Sequence, residues 1–117
     1  MMTISFLVNL LVLAAVIPPL WAGSAGMVAA FGAETPARQI LVSIYAAIWL
    51  TSALGLALMA LGRSEVAVTL AIGLFSVQIV YKTLTAVTVG LGNPVVMTNL
   101  PIAALHAATL VVILTRA

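Results

Sequence analysis

Residues 37–89 read ARQILVSIYAAIWLTSALGLALMALGRSEVAVTLAIGLFSVQIVYKTLTAVTV, two long apolar runs on either side of the segment GRSE at positions 62–65. A helix of roughly 20 apolar residues, rising 1.5 Å per residue, crosses a hydrocarbon core about 30 Å thick. Both runs are long enough for such a crossing. Because the segment between them is short, the stretch predicts an antiparallel hairpin of two membrane helices.

The ends of this hairpin carry the usual signals for starting and stopping helices. Thr35 followed by Pro36 predicts an N-cap and a first helical position. Gly62 is predicted to close the first helix of the hairpin. The hydroxyl of Ser64 is expected to cap the second helix, and Glu65 lies in its first turn, where the helix dipole favours an acid.

Two further apolar runs flank the hairpin, which gives four predicted spans at about residues 3–21, 37–61, 66–89 and 95–115. The first run is apolar except for Ser5 and Asn9. It is expected to be a retained helix and not a cleaved signal peptide, because no Lys or Arg precedes it. Pro18 and Pro19 are predicted to end or bend it. Pro101 lies inside the last run, where an early start with a bend is favoured.

The composition excludes most other classes of protein. The chain has 117 residues, of which 65% are hydrophobic and 5% charged, with a mean hydropathy of +1.36. Soluble domains carry roughly 25% charged residues. A soluble globular protein, a disordered chain and a nucleic-acid binder are therefore excluded. We expect an all-α, integral membrane four-helix bundle with short loops, a single transmembrane domain over residues 1–117.

The longest connection, residues 23–39, is expected to contain a short helix or turn at the interface. An even number of spans places both termini on one side of the membrane. Arg63 and Arg116 belong to that side, whereas Arg38 belongs to the other side and Lys82 lies nearer to it. By the positive-inside rule, this count favours cytoplasmic termini.

Small residues spaced four apart predict where the helices approach one another, because close packing drives helix association in lipid. The predicted packing positions are Ser43, Ala47, Thr51 and Gly55 in the second span and Ala103 and Ala107 in the fourth. Packing within the bundle and a homodimer face are both consistent with this spacing.

Lys82 is the most unusual residue, since it is a cation inside a predicted span. Its stem is long enough to snorkel to the headgroups, which is one interpretation. The other is a specific polar site, for which the candidate residues are Gln78, Tyr81, Lys82, Thr85 and His106. Such a site could bond a quinone carbonyl, an anionic headgroup or the backbone of another subunit.

His106 is the only histidine. It is expected to form a structural hydrogen bond between helices, with axial ligation of haem as the alternative. The only carboxylate side chains, Glu34 and Glu65, are predicted to lie in or beside loops. No Cys, Asp or Glu is predicted within the apolar core to complete a metal site or a hydrolytic triad, so no metal and no catalytic residue is assigned.

Three stretches, GMVAAFGAETPARQ at 26–39, GRSE at 62–65 and VYKTLT at 80–85, resemble the layout of the DoxX-like families of small four-helix bacterial membrane proteins. Named members include a subunit of a thiosulfate:quinone oxidoreductase. The resemblance implies a small subunit of the bacterial inner membrane, near quinone chemistry. It transfers no catalytic residue to this chain.

Three functions are weighed on this basis. The first is a non-catalytic accessory or oligomeric subunit of a membrane complex, whose partners are the lipid bilayer and either its own copies or other subunits. The second is a redox subunit associated with quinone or haem, although the sequence requires no cofactor. The third is a small oligomeric transporter or channel, with the polar residues of the third span lining a pore between copies.

Overall fold

The computed structural model describes residues 1–32 and 35–116, so Glu34 lies outside the described residues. Its elements are five helices: α1 (Met2–Ala22), α2 (Ala25–Phe31), α3 (Pro36–Ala60), α4 (Ser64–Thr88) and α5 (Pro94–Arg116). The described ranges contain no strand. All helices except α2 are long and apolar enough to cross a membrane. The all-α prediction is confirmed.

The prolines interrupt neither long helix that contains them. Helix α1 continues through Pro18 and Pro19 and ends at Ala22, where Gly23 turns the chain with φ of 70°. Helix α5 begins at Pro94 and runs through Pro101, as the early start predicted. A proline removes one backbone donor from a helix, and packing on neighbouring helices tolerates that loss.

The hairpin between α3 and α4 forms as predicted, with one correction. The Thr35 hydroxyl accepts a hydrogen bond from the Arg38 amide at 3.2 Å and caps α3. Gly62, with φ of 76°, follows the last turn of α3 and reverses the chain. Ser64 was expected to cap α4, but that prediction is wrong, because Ser64 is already helical and no side chain caps this helix.

The predicted short helix in the long connection is α2, which is attached to its surroundings at few points. None of its residues is buried. The side-chain amide of Asn93 donates to the Ala30 carbonyl at 2.8 Å, and the Asn93 Oδ1 accepts from the Val95 amide at 2.8 Å. Asn93 therefore stabilises the start of α5 and fixes α2 beside it.

The bundle is built around the α3–α4 hairpin, with α1 packed on α3 and α5 packed on α4. Helices α1 and α5 also contact each other. Met1 and Arg116 line one shallow groove together with Met59 near the end of α3. Met1 and Arg116 thus lie at the same end of the bundle, and α2 lies at the other end.

The predicted packing positions of α3 lie in two different environments. Gly55 is buried against the ring of Phe6, while Ser43 and Ala47 lie on the outer surface and Thr51 is half-buried. In α5, Ala103 is buried and Ala107 is half-buried. The close approach that small residues permit is therefore realised at Gly55, where α1 lies against α3.

We expect Gly55→Ala to destabilise the bundle, because an added Cβ would overlap the Phe6 ring. Phe6 is fully buried and its ring is 5.0 Å from that of Phe75, so it has no free space to move into. Overpacking of this kind costs about 1–3 kcal/mol. The measurement is the midpoint of thermal unfolding in a mild detergent, which should fall.

Gly73→Ala is the matched control, since it is the same change in a neighbouring helix. Gly73 is exposed and a Cβ there would have no atom within 4 Å. Removing a helical glycine gains up to about 1 kcal/mol, so this midpoint should stay unchanged or rise. Equal midpoints for the two variants would contradict the close approach of α1 and α3.

Candidate functional site

A buried polar layer crosses the bundle, and the side-chain amide of Asn9 is its centre. The Asn9 Nδ2 donates to the Ser52 hydroxyl at 3.0 Å. The Asn9 Oδ1 lies 3.0 Å from Nε2 of His106. One side chain of α1 thereby contacts both α3 and α5, in surroundings where hydrogen bonds between helices have little competition from water.

The hydrogen bond to Asn9 determines which nitrogen of His106 carries the proton. An amide oxygen only accepts, so Nε2 donates, and in a neutral ring Nδ1 is then a bare acceptor. No described residue donates to Nδ1. The ring is fully buried and stacks on Phe75, with centroids 4.5 Å apart and planes within 3° of parallel.

A second pair of hydroxyls joins α1 to α5 next to this layer. The Thr109 hydroxyl donates to the Leu105 carbonyl at 2.9 Å within its own helix. Since a hydroxyl has one proton, Ser5 must donate the 2.6 Å hydrogen bond between Ser5 and Thr109. Ser5 and Asn9 lie one turn apart on the same face of α1 and together hold α5 in place.

A cavity of about 370 Å³ lies next to the polar layer, towards the α2 end of the bundle. This volume falls within the range of about 300–1,000 Å³ that small-molecule sites occupy. Most of the wall is apolar and includes Val12, Leu13, Val16, Met27, Phe31 and Ile102. The polar part of the wall is contributed by Asn9, Tyr45, Gln78, Tyr81, Lys82, Thr98 and Asn99.

Gln78 is the lining residue whose polar atoms lack partners. The residue is 1% exposed, and neither its Nε2 nor its Oε1 has a hydrogen-bond partner among the described residues. Buried polar atoms in native proteins nearly always have partners, because an unpaired one costs about 1–3 kcal/mol. A side-chain amide with both ends unpaired beside a cavity makes Gln78 a candidate binding group.

Lys82 lies one turn further along α4 and lines the same cavity. It is 5% exposed, and its Nζ is 5.9 Å from the centroid of the Tyr81 ring. No ion pair or hydrogen bond joins its ammonium to any residue in the described part of the chain. Its position inside the bundle favours the specific polar site over snorkelling along the outer surface.

The structure brings together some of the predicted site residues and separates others. Gln78, Tyr81 and Lys82 all line the cavity. Thr85 does not, because its hydroxyl donates to the Lys82 carbonyl of its own helix at 2.6 Å. His106 lies in the polar layer instead, and Asn9 connects the two regions because it belongs to both.

The geometry of His106 does not fit axial ligation of haem. Its Nε2 is occupied by Asn9, its ring face is covered by Phe75, and no part of the residue is exposed. A haem iron could bind Nε2 only after the hydrogen bond to Asn9 had been broken, and the fully buried ring has no open face for a porphyrin. Within residues 1–32 and 35–116, no group of three His, Cys, Asp or Glu residues is placed to hold a metal ion.

The polar residues Gln78 and Lys82 of α4 are buried and do not lie on the outer surface of the bundle. Gln78 and Lys82 lie in the interior of a single bundle, against α1 and α5. Thr88 is exposed, but its hydroxyl is bonded to the Leu84 carbonyl of its own helix. A pore lined by this face between several copies therefore gains no support from the geometry.

Asn9 and Asn99 were not predicted as site residues from the sequence, although both line the cavity. A usable signal existed for Asn9, since Ser5 and Asn9 are polar, four residues apart and surrounded by apolar residues. For the cavity wall contributed by α2 there was no such signal, because its placement depends on the contact between Asn93 and Ala30 across the fold.

Comparison of the chain with protein-family models, with curated proteins and with solved structures found no match. The resemblance to the DoxX-like families is therefore neither confirmed nor refuted and stays a prediction.

Asn9→Leu is expected to lower stability, because it leaves Ser52 and His106 without partners while keeping the side-chain volume similar. The expected cost is about 1–3 kcal/mol. Ser43→Ala is the control, since that hydroxyl is exposed and bonds only to the Gln39 carbonyl of its own helix. Thermal unfolding in mild detergent should show a lower midpoint for Asn9→Leu alone. An unchanged midpoint would mean that the polar layer does not hold the helices.

Proposed function

We propose that this chain is an integral membrane protein, a non-catalytic subunit that holds an amphipathic small molecule inside its own helical bundle. The observation that carries the proposal is the apolar cavity with one polar wall, where the Gln78 amide has no hydrogen-bond partner among the described residues and the Lys82 ammonium has only the Tyr81 ring nearby. A largely apolar ligand with a polar head matches both parts of that wall.

The outer surface supports a location in lipid. Large apolar side chains are exposed along all four long helices, including Leu11, Leu50, Val77, Val87 and Val111. Such a surface is stable in hydrocarbon and aggregates in water. The placement in a bacterial inner membrane, with cytoplasmic termini, is part of the proposal and comes from the sequence.

The non-catalytic role is supported by the hydrogen bonds that already engage the polar groups of the layer. The proton on Nε2 of His106 is committed to Asn9, and the hydroxyls of Ser5, Ser52 and Thr109 are engaged within the same layer. These groups hold the helices together, and the bare Nδ1 of His106 is fully buried with no described hydroxyl bonded to it to act as a nucleophile. We therefore propose that any chemistry on the ligand belongs to a partner in a larger membrane complex.

A quinone is the second candidate for the ligand, in a redox-associated subunit. Three aromatic rings border the cavity, and those of Phe31 and Tyr45 meet edge to face with centroids 6.2 Å apart. Aromatic walls suit a flat ring, and the Gln78 amide can donate to a quinone carbonyl. Solvent extraction of protein purified from respiring cells should then release a quinone, and a quinone-free extract would remove this candidate.

Val12→Phe tests ligand binding, because it places a larger side chain in the cavity. Protein purified from native membranes in mild detergent should carry a bound small molecule, detected by native mass spectrometry, and Val12→Phe should lose most of it. Leu11→Phe is the matched control. It is the adjacent residue of the same helix but is 70% exposed, so this variant should keep the ligand.

Two results would contradict the proposal. One is a wild-type protein that carries nothing and binds no amphiphile added to it. The other is a folded Val12→Phe protein that retains as much ligand as Leu11→Phe, since the ligand would then lie outside the cavity.

A further inference from the structure

The charge inside the bundle is unbalanced among the described residues. Lys82 is a buried cation, and the sequence has only two acidic side chains, Glu34 and Glu65. Glu65 is exposed beside Gly62 at the turn of the hairpin, where it pairs with Arg63 at 3.0 Å. Glu34 lies outside the described residues. A cation among apolar walls is costly unless an anion accompanies it.

Gln78 adds hydrogen-bond donors beside this charge. It lies on the same face of α4, one turn before Lys82, and its Nε2 offers N–H donors that no described residue accepts. The Lys82 ammonium has three donors and the Gln78 amide has two. Together they match the acceptor oxygens of a carboxylate or another small acid head.

The rest of the cavity limits what is attached to such a head. Its other walls are mostly aliphatic and aromatic, and the volume of about 370 Å³ is near the lower end for small-molecule sites. That space suits one apolar chain and a small head, and it is too confined for a lipid with two chains. A neutral head such as a quinone carbonyl would accept hydrogen bonds but would leave the Lys82 charge uncompensated.

We infer that the ligand is a single-chain amphiphile with an anionic head, whose acid oxygens bind Lys82 and Gln78 while its chain fills the apolar part of the cavity. The inference rests on the proposed function, because it names the class of ligand for the same cavity. It makes Lys82 and Gln78 the groups that select this class.

The test compares three probes with the same alkyl chain and different heads: dodecanoate, dodecanol and dodecyltrimethylammonium. Delipidated protein in a neutral detergent with a bulky steroid-like tail is titrated with each probe at pH 7. The readouts are the midpoint of thermal unfolding, which rises when a ligand binds the native state, and native mass spectrometry of the complex. Dodecanoate should bind about tenfold more tightly than dodecanol or better, the effect of a hydrogen bond to a charged group.

Three variants assign the effect to residues. Lys82→Met should abolish the preference for dodecanoate, and Gln78→Leu should weaken it. Arg63→Met is the charge-matched control, since it removes one positive charge at an exposed position away from the cavity lining and should leave the preference intact. In the ligand-free protein, Lys82→Met should unfold at the wild-type midpoint or above it, because the buried charge is removed and only the 5.9 Å contact with the Tyr81 ring is lost.

The outcomes separate this inference from the proposed function. If dodecanol binds as tightly as dodecanoate and Val12→Phe blocks both, the cavity is a binding site, but the inference of an anionic head is wrong. If none of the three probes binds, both proposals fail. If Lys82→Met lowers the unfolding midpoint of the ligand-free protein and Gln78→Leu leaves the preference unchanged, Lys82 has a structural partner and the inference is overturned.

Discussion

The arrangement of the long helices depends on the side-chain amide of Asn9. Apolar surfaces do not specify how helices pair in lipid, because a leucine packs equally well against a lipid tail and against another helix. An amide that donates to Ser52 and accepts from His106 is satisfied only when α1 contacts both α3 and α5. The hydroxyl pair of Ser5 and Thr109 fixes the same register of α1 against α5 one turn away.

The polar layer and the cavity differ in how many of their polar groups have hydrogen-bond partners. Within the layer, nearly every donor is paired, and the helices lie close enough for the Phe6 ring to contact Gly55. Beside the cavity, Gln78 is equally buried but has no hydrogen-bond partner among the described residues, and the buried Lys82 ammonium has only the Tyr81 ring nearby. Native interiors rarely keep such groups without a partner. This contrast between two regions of one small bundle is the reason for proposing a ligand in the cavity.

The sequence was sufficient for the helices and for part of the site. Apolar runs of the right length locate the spans, and residues such as Thr35, Pro36 and Gly62 mark their ends, because these signals are local. Lys82 and Gln78 were identifiable as candidate site residues, because they are a cation and an amide within an apolar run. The role of Asn9 and the position of α2 were not, since both depend on contacts between residues far apart in the chain.

Both ends of the chain lie at the end of the bundle opposite α2 and the cavity. A purification tag or a fused reporter at either terminus is therefore distant from the α2 end. Protein immobilised on a sensor surface through such a tag presents its α2 end outward, and a fluorescent protein attached there does not cover it.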